Sequence, residues 1–447
     1  MKKLNIKYKS PIGDVWSWKF LFLMAASLCL SGDFLMAQEE EIYVQTDQTK
    51  GKDHIFKDYI KTVRLHVKDQ ELSYPYIPLD GSIQLELRFD DLAHEYKEYY
   101  YTIVHYSSDW EPSTLDPFDY IAGFLEADLD DYQFSFKTLI PYTQYRLDFP
   151  NRLMRPKVSG NYLLKVYEPG QADQPIFTRR FLVYDNRVAI YPSMGLLSAS
   201  PLLQTHQRLE FSANTGTMTM RNPYTDLKVV ILQNGRWDNA IRGIRPMVVF
   251  NKEAIFNHQN QMVFKGGKEF RFFDARSFKF RTEWIEKIIE SDTVHQVYLN
   301  VDSPREQQHY RYWQDINGKY IIGDFDTDFD EIDAHYMQVH FTLEMEEPIT
   351  NGNIYVFGGL TDWSLTKEAQ MHYNYKRKAY QTTLYLKQGY YNYSYVFRQD
   401  GKVGLDETRL EGSYYLAEND YIVLIYYYDL RQRYDELVGI KYINSLN

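Results

Sequence analysis

Carboxylates recur at every second position in one short stretch, and they could bind a hard cation such as Ca²⁺, which prefers oxygen ligands. The run consists of Asp324, Asp326, Asp328, Asp330, Glu331 and Asp333. An EF-hand loop beginning at Asp324 would need a glycine at its sixth position and a bidentate glutamate at its twelfth, where this sequence has Phe329 and His335. The run therefore predicts a solvated acidic loop, with a loose cation site as the alternative, and no metal ligand is assigned.

Other catalytic patterns are incomplete. Ser364 and Lys367 fit a bare Ser-x-x-Lys pattern, but the sequence has no Ser-Asp-Asn or Lys-Thr-Gly companion. It also has no His-Glu-x-x-His, no Gly-x-Ser-x-Gly and no phosphate-binding glycine loop. We therefore predict a protein that is not an enzyme and has no cofactor. A glycosidase carboxylate pair stays open as an alternative because acidic residues are abundant.

The first 37 residues predict a secretory signal peptide. Lysines precede an apolar run at 20–30 that is too short to span a bilayer, and cleavage is expected after Ala37. Cleavage would remove five lysines, two aspartates and the single cysteine, Cys29, so the net charge changes from −11 to −14 and no thiol chemistry or disulfide is left. Such an acidic protein repels phosphate backbones, and no later apolar segment is long enough to insert directly into a membrane. We expect an exported protein that does not bind nucleic acid.

Composition and periodicity predict a mainly β fold. Tyrosine, phenylalanine and tryptophan number 41, 26 and 7, and segments such as Ile83–Phe89 alternate apolar and polar residues. We predict tandem β-sandwich domains, with one short helix at 282–290. The expected organisation is a signal peptide (1–37), a flexible leader (38–59), an N-terminal β-sandwich domain (60–187), a middle β-rich domain (188–335) and a C-terminal β-sandwich domain (336–447).

One stretch, 222–245, combines a buried strand with an unusual turn. Leu227–Leu232 is apolar on both faces, and Asn234 and Gly235 are the residue types that accept positive φ in a hairpin turn. Arg236 and Trp237 follow, and a turn alone does not require them. We predict that both are exposed and contact a partner, with packing at the turn edge as the alternative.

The C-terminal region resembles glycogen-binding, early-set immunoglobulin-like modules. The resemblance covers Val356–Trp363, Met371, Leu386–Tyr393 and Asp400–Lys402. It implies that 336–447 is an early-set-like β-sandwich domain and that the chain holds tandem immunoglobulin-like or early-set β-sandwich domains. It also suggests glycan binding through Trp363 and the tyrosines at 390–395 as an alternative function. Trp363 is also a candidate partner contact. Cross-strand aromatic packing is the competing interpretation of the tyrosines.

A second resemblance covers nearly the whole chain after the signal peptide. The sequence resembles the type IX secretion system plug proteins of Bacteroidota at Ile60–Val63, Phe89–Leu92, Tyr99–His105 with Asp109-Trp110, Tyr120–Phe124, Ser159–Tyr162, Thr178–Phe181, Gln233–Asp238, Gly266–Ser277, Asp315–Gly318 and Leu386–Gly389. The resemblance implies a periplasmic, non-enzymatic protein associated peripherally with an outer-membrane translocon barrel. It would close the periplasmic side of that channel when the channel is idle.

Overall fold

The computed structural model describes residues 51–195, 197, 201–327 and 331–446. The predicted signal peptide and residues 38–50 of the predicted leader lie outside these ranges. The described part is mainly β, as predicted, and its strands form antiparallel-rich sheets that pack in pairs.

The first twelve strands and a short helix form an N-terminal domain. They are β1 (His54–Ile55), β2 (Ile60–Val67), β3 (Tyr76–Pro78), β4 (Leu85–Asp91), β5 (Tyr99–Tyr106), α1 (Pro117–Tyr120), β6 (Ile121–Gly123), β7 (Ala127–Leu129), β8 (Asp131–Phe134), β9 (Thr143–Phe149), β10 (Met154–Pro156), β11 (Gly160–Tyr167) and β12 (Phe177–Tyr184). One sheet has the order β1-β12-β11-β5-β7 with β3 beside β12, and the other has the order β2-β4-β9-β8. The residues that alternate inward on β4 and β5 meet in one core, where Phe89 stacks on Tyr145 at 5.1 Å between ring centroids.

The middle domain begins with seven strands. They are β13 (Ala189–Gly195), β14 (His206–Asn214), β15 (Leu227–Gln233), β16 (Ile241–Ile244), β17 (Val248–Phe250), β18 (Glu253–Phe256) and β19 (Val263–Lys265), with the short helix α2 (Pro223–Asp226) before β15. One sheet of this domain has the order β13-β14-β18-β17, with β19 also beside β14.

A separate set of strands follows before the chain returns to the middle domain. These are β20 (Arg271–Asp274), β21 (Ile285–Ile289), β22 (His295–Leu299), β23 (Tyr320–Ile322), β24 (Tyr336–Glu344), β25 (Gly352–Phe357), β26 (His372–Asn374), β27 (Ala379–Lys387) and β28 (Gly389–Gln399), then α3 (Thr408–Glu411). They form sheets ordered β20-β28-β23, with β25 also on β28, and β21-β22-β24-β27-β26 around a core of their own. We call this unit the inserted domain.

The last two strands, β29 (Asp420–Asp429) and β30 (Tyr434–Asn444), complete the second sheet of the middle domain, which has the order β16-β15-β29-β30. The sheet pairings therefore cross the predicted boundary between 188–335 and 336–447. The middle domain takes strands from both segments, and the inserted domain begins well before residue 336. Local periodicity marks each strand but carries no information on which distant strand it pairs with.

Two other local predictions differ from the structure. Residues 51–59, expected to be a flexible leader, contain β1, which pairs with β12. The predicted helix at 282–290 is wrong, because Ile285–Ile289 is a strand. A register shift between Ile285 and Lys287 breaks the two-residue alternation there, so the apolar spacing imitates that of a helix.

Strand β15 is buried on both faces, as its sequence predicts. Val229 and Ile231 lie in the core of the middle domain, whereas Val230 and Leu232 face a second apolar cluster. That cluster includes Leu163 and other side chains of the N-terminal domain. The second apolar face of β15 therefore packs against the N-terminal domain. Its burial explains why apolar and polar residues do not alternate along this strand.

Candidate functional site: the junction of three domains

The three domains meet around the loop that follows β15. Asn234 and Gly235 have φ angles of 54° and 70°, the positive values predicted for this pair. The side-chain oxygen of Asn234 accepts a hydrogen bond from the backbone N–H of Asp420 at 2.8 Å. A Cβ on Gly235 would lie 2.0 Å from the ring of Tyr74, so glycine is required both for the φ angle and for the close approach of the N-terminal domain.

Arg236 extends from this loop into the inserted domain. Its guanidinium donates to Glu407 at 2.6 and 2.9 Å and to Asp238 at 2.6 and 3.1 Å. Only 4% of the residue is exposed, so the prediction of an exposed arginine is wrong. Burial opposes the charged form, but the carboxylates of Glu407 and Asp238 outweigh it and hold the pKa of Arg236 above its ordinary value. Arg236 thereby joins the middle and inserted domains.

Trp237 points the other way, towards the N-terminal domain. Its ring meets that of Trp110 edge to face, with 5.0 Å between centroids. The guanidinium groups of Arg180 and Arg242 lie 5.5 and 5.3 Å from the Trp237 centroid. The side chain is partly buried, and its contacts match the alternative interpretation, packing at the turn.

Trp363 lies on the far side of Arg236. The Arg236 guanidinium is 4.9 Å from the Trp363 centroid, and the ring also meets Phe357 and Phe270 edge to face. The structure therefore brings all three predicted site residues to one junction. A role of these residues in contacting a partner stays a prediction, but the contacts in the structure are with other parts of this chain.

The aromatic residues proposed for glycan binding are used in packing. Tyr391, Tyr393 and Tyr395 are buried in the inserted domain, and Tyr393 and Tyr395 donate hydrogen bonds to Asp302 at 2.8 Å. Together with the position of Trp363, this leaves no exposed platform built from the residues that suggested glycan binding. Cross-strand packing is the interpretation that the structure favours.

A cavity of about 210 Å³ lies at the same junction. Arg64, Arg179 and Arg180 of the N-terminal domain line it, as do Trp237 of the middle domain and Lys319 of the inserted domain. Arg179 donates to Asp362 at 2.9 Å and thereby joins the N-terminal and inserted domains. The sequence assigned no role to Lys319 or to Arg180, although Arg180 lies in the Thr178–Phe181 motif, because only the packing of three domains brings these cations to one cavity.

A buried ion pair also joins the N-terminal and inserted domains. The Nζ atom of Lys387 lies 2.7 Å from Oδ2 of Asp90, and the two side chains are 0% and 1% exposed. The hydroxyl of Tyr336 donates to the same oxygen at 2.7 Å. Burial lowers the pKa of Lys387, and the Asp90 carboxylate opposes that effect.

The acidic run is partly buried, which contradicts the prediction of a solvated loop. Asp324 is buried, and Asp326 accepts from the Ser277 hydroxyl at 2.8 Å. Glu331 pairs with Arg64 at 2.8 Å and with Arg88, so part of the run contacts the N-terminal domain. Residues 328–330 lie outside the described ranges, and the described residues contain no group of three or more side chains arranged to hold a metal ion.

The N-terminal domain matches a known protein family. The family described as type 9 secretion system plug protein, first domain, matches residues 60–185. The chain belongs to the type 9 secretion system plug protein family. The matched residues coincide closely with β2 to β12 of the N-terminal domain, and family membership connects this chain with type 9 secretion and with the cell envelope.

A solved structure shares the fold over most of the chain. The crystal structure of a hypothetical protein from Parabacteroides merdae is 34% identical, with a TM-score of 0.84, and the match covers 88% of this chain and 99% of that one. No curated protein matches the sequence. Across the described ranges, no helix has both the length and the apolar character needed to cross a membrane.

Proposed function

We propose that this protein is a non-enzymatic plug that sits in the periplasm and closes the periplasmic side of the outer-membrane type 9 translocon channel when the channel is idle. The observation that carries the proposal is the family match at residues 60–185. A channel wide enough for folded cargo would leak solutes, so its idle state needs a removable stopper. A stopper requires a fixed surface and no reaction.

The junction supports this role because it holds the three domains together. Arg236–Glu407, Arg179–Asp362 and Lys387–Asp90 are ion pairs between domains, and each contains at least one side chain that is less than 10% exposed. Buried, hydrogen-bonded charge pairs have few alternative geometries, since displacement of one partner leaves an uncompensated charge. The domains can therefore present a surface of constant form to a partner.

The first sheet of the middle domain offers a contact surface for the translocon. Tyr191, Val248, Phe250 and Ile255 are 38–69% exposed on its outward side. Tyr191 pairs with Ser212, which pairs with Ile255, which pairs with Val248, so three of these apolar side chains form one row across four strands. We call these four residues the outer face. An exposed apolar face on an acidic protein is typical of a protein-binding site.

The plug role is tested in a strain that lacks the gene. Loss of the plug is expected to let hydrophilic dyes that a closed outer membrane excludes enter the periplasm, and the complementing gene should restore exclusion. The tagged protein should also recover the translocon barrel from outer-membrane extracts of idle cells. Unchanged dye exclusion together with no recovery of the barrel would remove the proposal.

The outer face is tested separately. Phe250→Asp should reduce recovery of the barrel at least tenfold, because it places a charge in the apolar contact. Tyr375→Asp is the matched control, since Tyr375 is 78% exposed on a turn of the inserted domain. If Phe250→Asp recovers as much barrel as the wild type does, the contact lies elsewhere, although the plug role itself would stand.

The acidic character of the protein adds an electrostatic prediction. Residues 38–447 carry a net charge of −14, so a basic channel mouth would attract them. Recovery of the barrel should then decrease as sodium chloride is raised, since surface charges are screened. Recovery that does not change with salt would exclude an electrostatic contribution and leave the apolar contact.

A further inference from the structure

The cavity at the three-domain junction is lined by four cations and by three carboxylates, those of Asp53, Glu71 and Asp362. Of the four cations that line it, Arg64 pairs with Glu331 and Arg179 pairs with Asp362. Arg180 and Lys319 form no ion pair with any residue that the structure describes. They come from different domains, the first from β12 and the second from the turn before β23.

Arg180 is held in place by groups that leave part of its guanidinium free. Its Nε donates to the carbonyl of Gly51 at 2.6 Å, and the planar group lies 4.2 Å from the ring of Trp110. Asp53 accepts the backbone N–H of Arg180 at 2.6 Å rather than a guanidinium N–H. Neither terminal nitrogen donates a hydrogen bond to a residue in the described ranges. These two nitrogens have the fork geometry that suits an oxyanion.

Lys319 is similarly oriented by neutral groups. Its Nζ donates to the carbonyl of Leu72 at 2.5 Å and lies 3.7 Å from the centroid of the Tyr74 ring. One carbonyl leaves two of the three ammonium hydrogens for other acceptors. Burial lowers the pKa of Lys319 to about 8, so the ammonium is still the main form at neutral pH.

We propose that this cavity binds a small oxyanion, a carboxylate or a phosphate, between Arg180 and Lys319. Both cations are partly buried, and the nearby carboxylates, Asp53 for Arg180 and Asp420 for Lys319, form no direct ion pair with them. An oxyanion in the cavity that both cations line would accept charge-assisted hydrogen bonds from them. The cavity is smaller than a typical drug-sized site, and its volume suits a ligand of the size of inorganic phosphate or a short dicarboxylate.

Binding at this place would couple the three domains. The anion would contact Arg180 of the N-terminal domain and Lys319 of the inserted domain, beside Trp237 of the middle domain. Because only the assembled junction brings these groups together, a bound anion stabilises the folded arrangement over the unfolded chain. This inference is independent of the proposed plug role and would stand if that role failed.

The experiment measures thermal unfolding and calorimetric binding of the full-length purified protein with inorganic phosphate and, separately, with succinate. Sodium chloride keeps the ionic strength constant. At least one anion is expected to raise the melting temperature in a saturable way and to give a binding isotherm. A response to phosphate alone or to succinate alone identifies the preferred anion, and a response to both indicates a general oxyanion site. No response beyond that to chloride would overturn the proposal.

Substitutions of the two cavity cations test whether the anion binds in this cavity. Lys319→Met and Arg180→Gln should each weaken the anion affinity at least tenfold, whereas Lys376→Met and Arg431→Gln, which remove charges at exposed positions, should not. Lys319→Met without added anion should melt no lower than the wild type, because it removes a partly buried ammonium that forms no ion pair and whose charged form burial disfavours. The wild-type response to succinate, which stays a dianion in this range, should also decrease as the pH is raised from 7 to 9, when Lys319, which faces the Tyr74 ring and the Asp420 carboxylate, loses its proton. If both cavity variants keep the full response, the anion binds elsewhere and the proposal is wrong.

Discussion

The buried pair between Lys387 and Asp90 gives the sharpest prediction about how the domains are held together. Lys387→Met keeps the length of the side chain but leaves the Asp90 carboxylate buried without its cation. Tyr336 and Gln144 still donate hydrogen bonds to that carboxylate at 2.7 and 3.2 Å, but neither supplies a positive charge. Removal of one partner of a buried ion pair costs about 3–5 kcal/mol. We expect a decrease of about 4 kcal/mol in the free energy of unfolding.

The assay is urea unfolding followed by tryptophan fluorescence and by far-ultraviolet circular dichroism, so that any separate unfolding of domains becomes visible. In thermal unfolding the same cost corresponds to a decrease of roughly 5 °C for a cooperative unit of this size. The double variant Lys387→Met with Asp90→Asn should recover more than half of the loss, because no unpaired charge is left.

The matched control is Lys378→Met. Lys378 pairs with Glu346, but these side chains are 60% and 77% exposed, so the change should leave the urea midpoint almost unchanged. A cost for Lys387→Met below about 1 kcal/mol, or a double variant as unstable as the single one, would refute the argument that this pair depends on burial.

Three further predictions concern the junction and the inserted domain. Gly235→Ala should destabilise the protein by at least about 2 kcal/mol more than Gly243→Ala, because both glycines have a positive φ but only a Cβ at 235 meets the Tyr74 ring; equal melting temperatures would contradict this. Arg236→Met should lower the free energy of unfolding in urea by about 2–4 kcal/mol, because its two carboxylate partners are about a third exposed and the loss is smaller than in a fully buried ion pair. An unchanged free energy of unfolding would show that the junction does not need this cation. Burial raises the pKa of Asp315 to about 7, outweighing two backbone N–H donors, so the unfolded chain binds fewer protons and stability falls as pH rises from about 4 through about 7. Asp315→Asn should therefore lose roughly 2 kcal/mol less than the wild type between pH 5 and pH 8 in melting experiments, and parallel pH profiles would contradict this.

Much of the local structure could be predicted from the sequence. The strands at Leu85–Asp91, Tyr99–Tyr106 and Tyr336–Glu344 follow from alternation of apolar and polar residues, which a half-buried strand requires. The positive φ angles of Asn234 and Gly235 follow from residue type alone. The helix expected at 282–290 was wrong because a register shift in a strand reproduces helical spacing.

The domain organisation needed the tertiary structure. Strand β15 pairs with β29, about 190 residues later in the chain, and no local pattern at Leu227 or Tyr427 identifies that partner. The inserted domain lies between them in sequence. The sequence-based division places β29 in the C-terminal domain (336–447), whereas it pairs with β15 of the middle domain. Hydrophobic periodicity indicates that one face of a strand is buried, but it does not indicate which segment covers that face.

The candidate site divides in the same way. The sequence by itself marked Arg236, Trp237 and Trp363 as residues that a simple turn or strand does not require. Their burial at the junction depends on the packing of the domains. Glu407, which pairs with Arg236, and Trp110, which contacts Trp237, come from distant segments of the chain. The unpaired cations Arg180 and Lys319 were invisible for the same reason. The electrostatic energy of a charged side chain depends on its distance to counterions and to water, and the packing of the domains sets these distances.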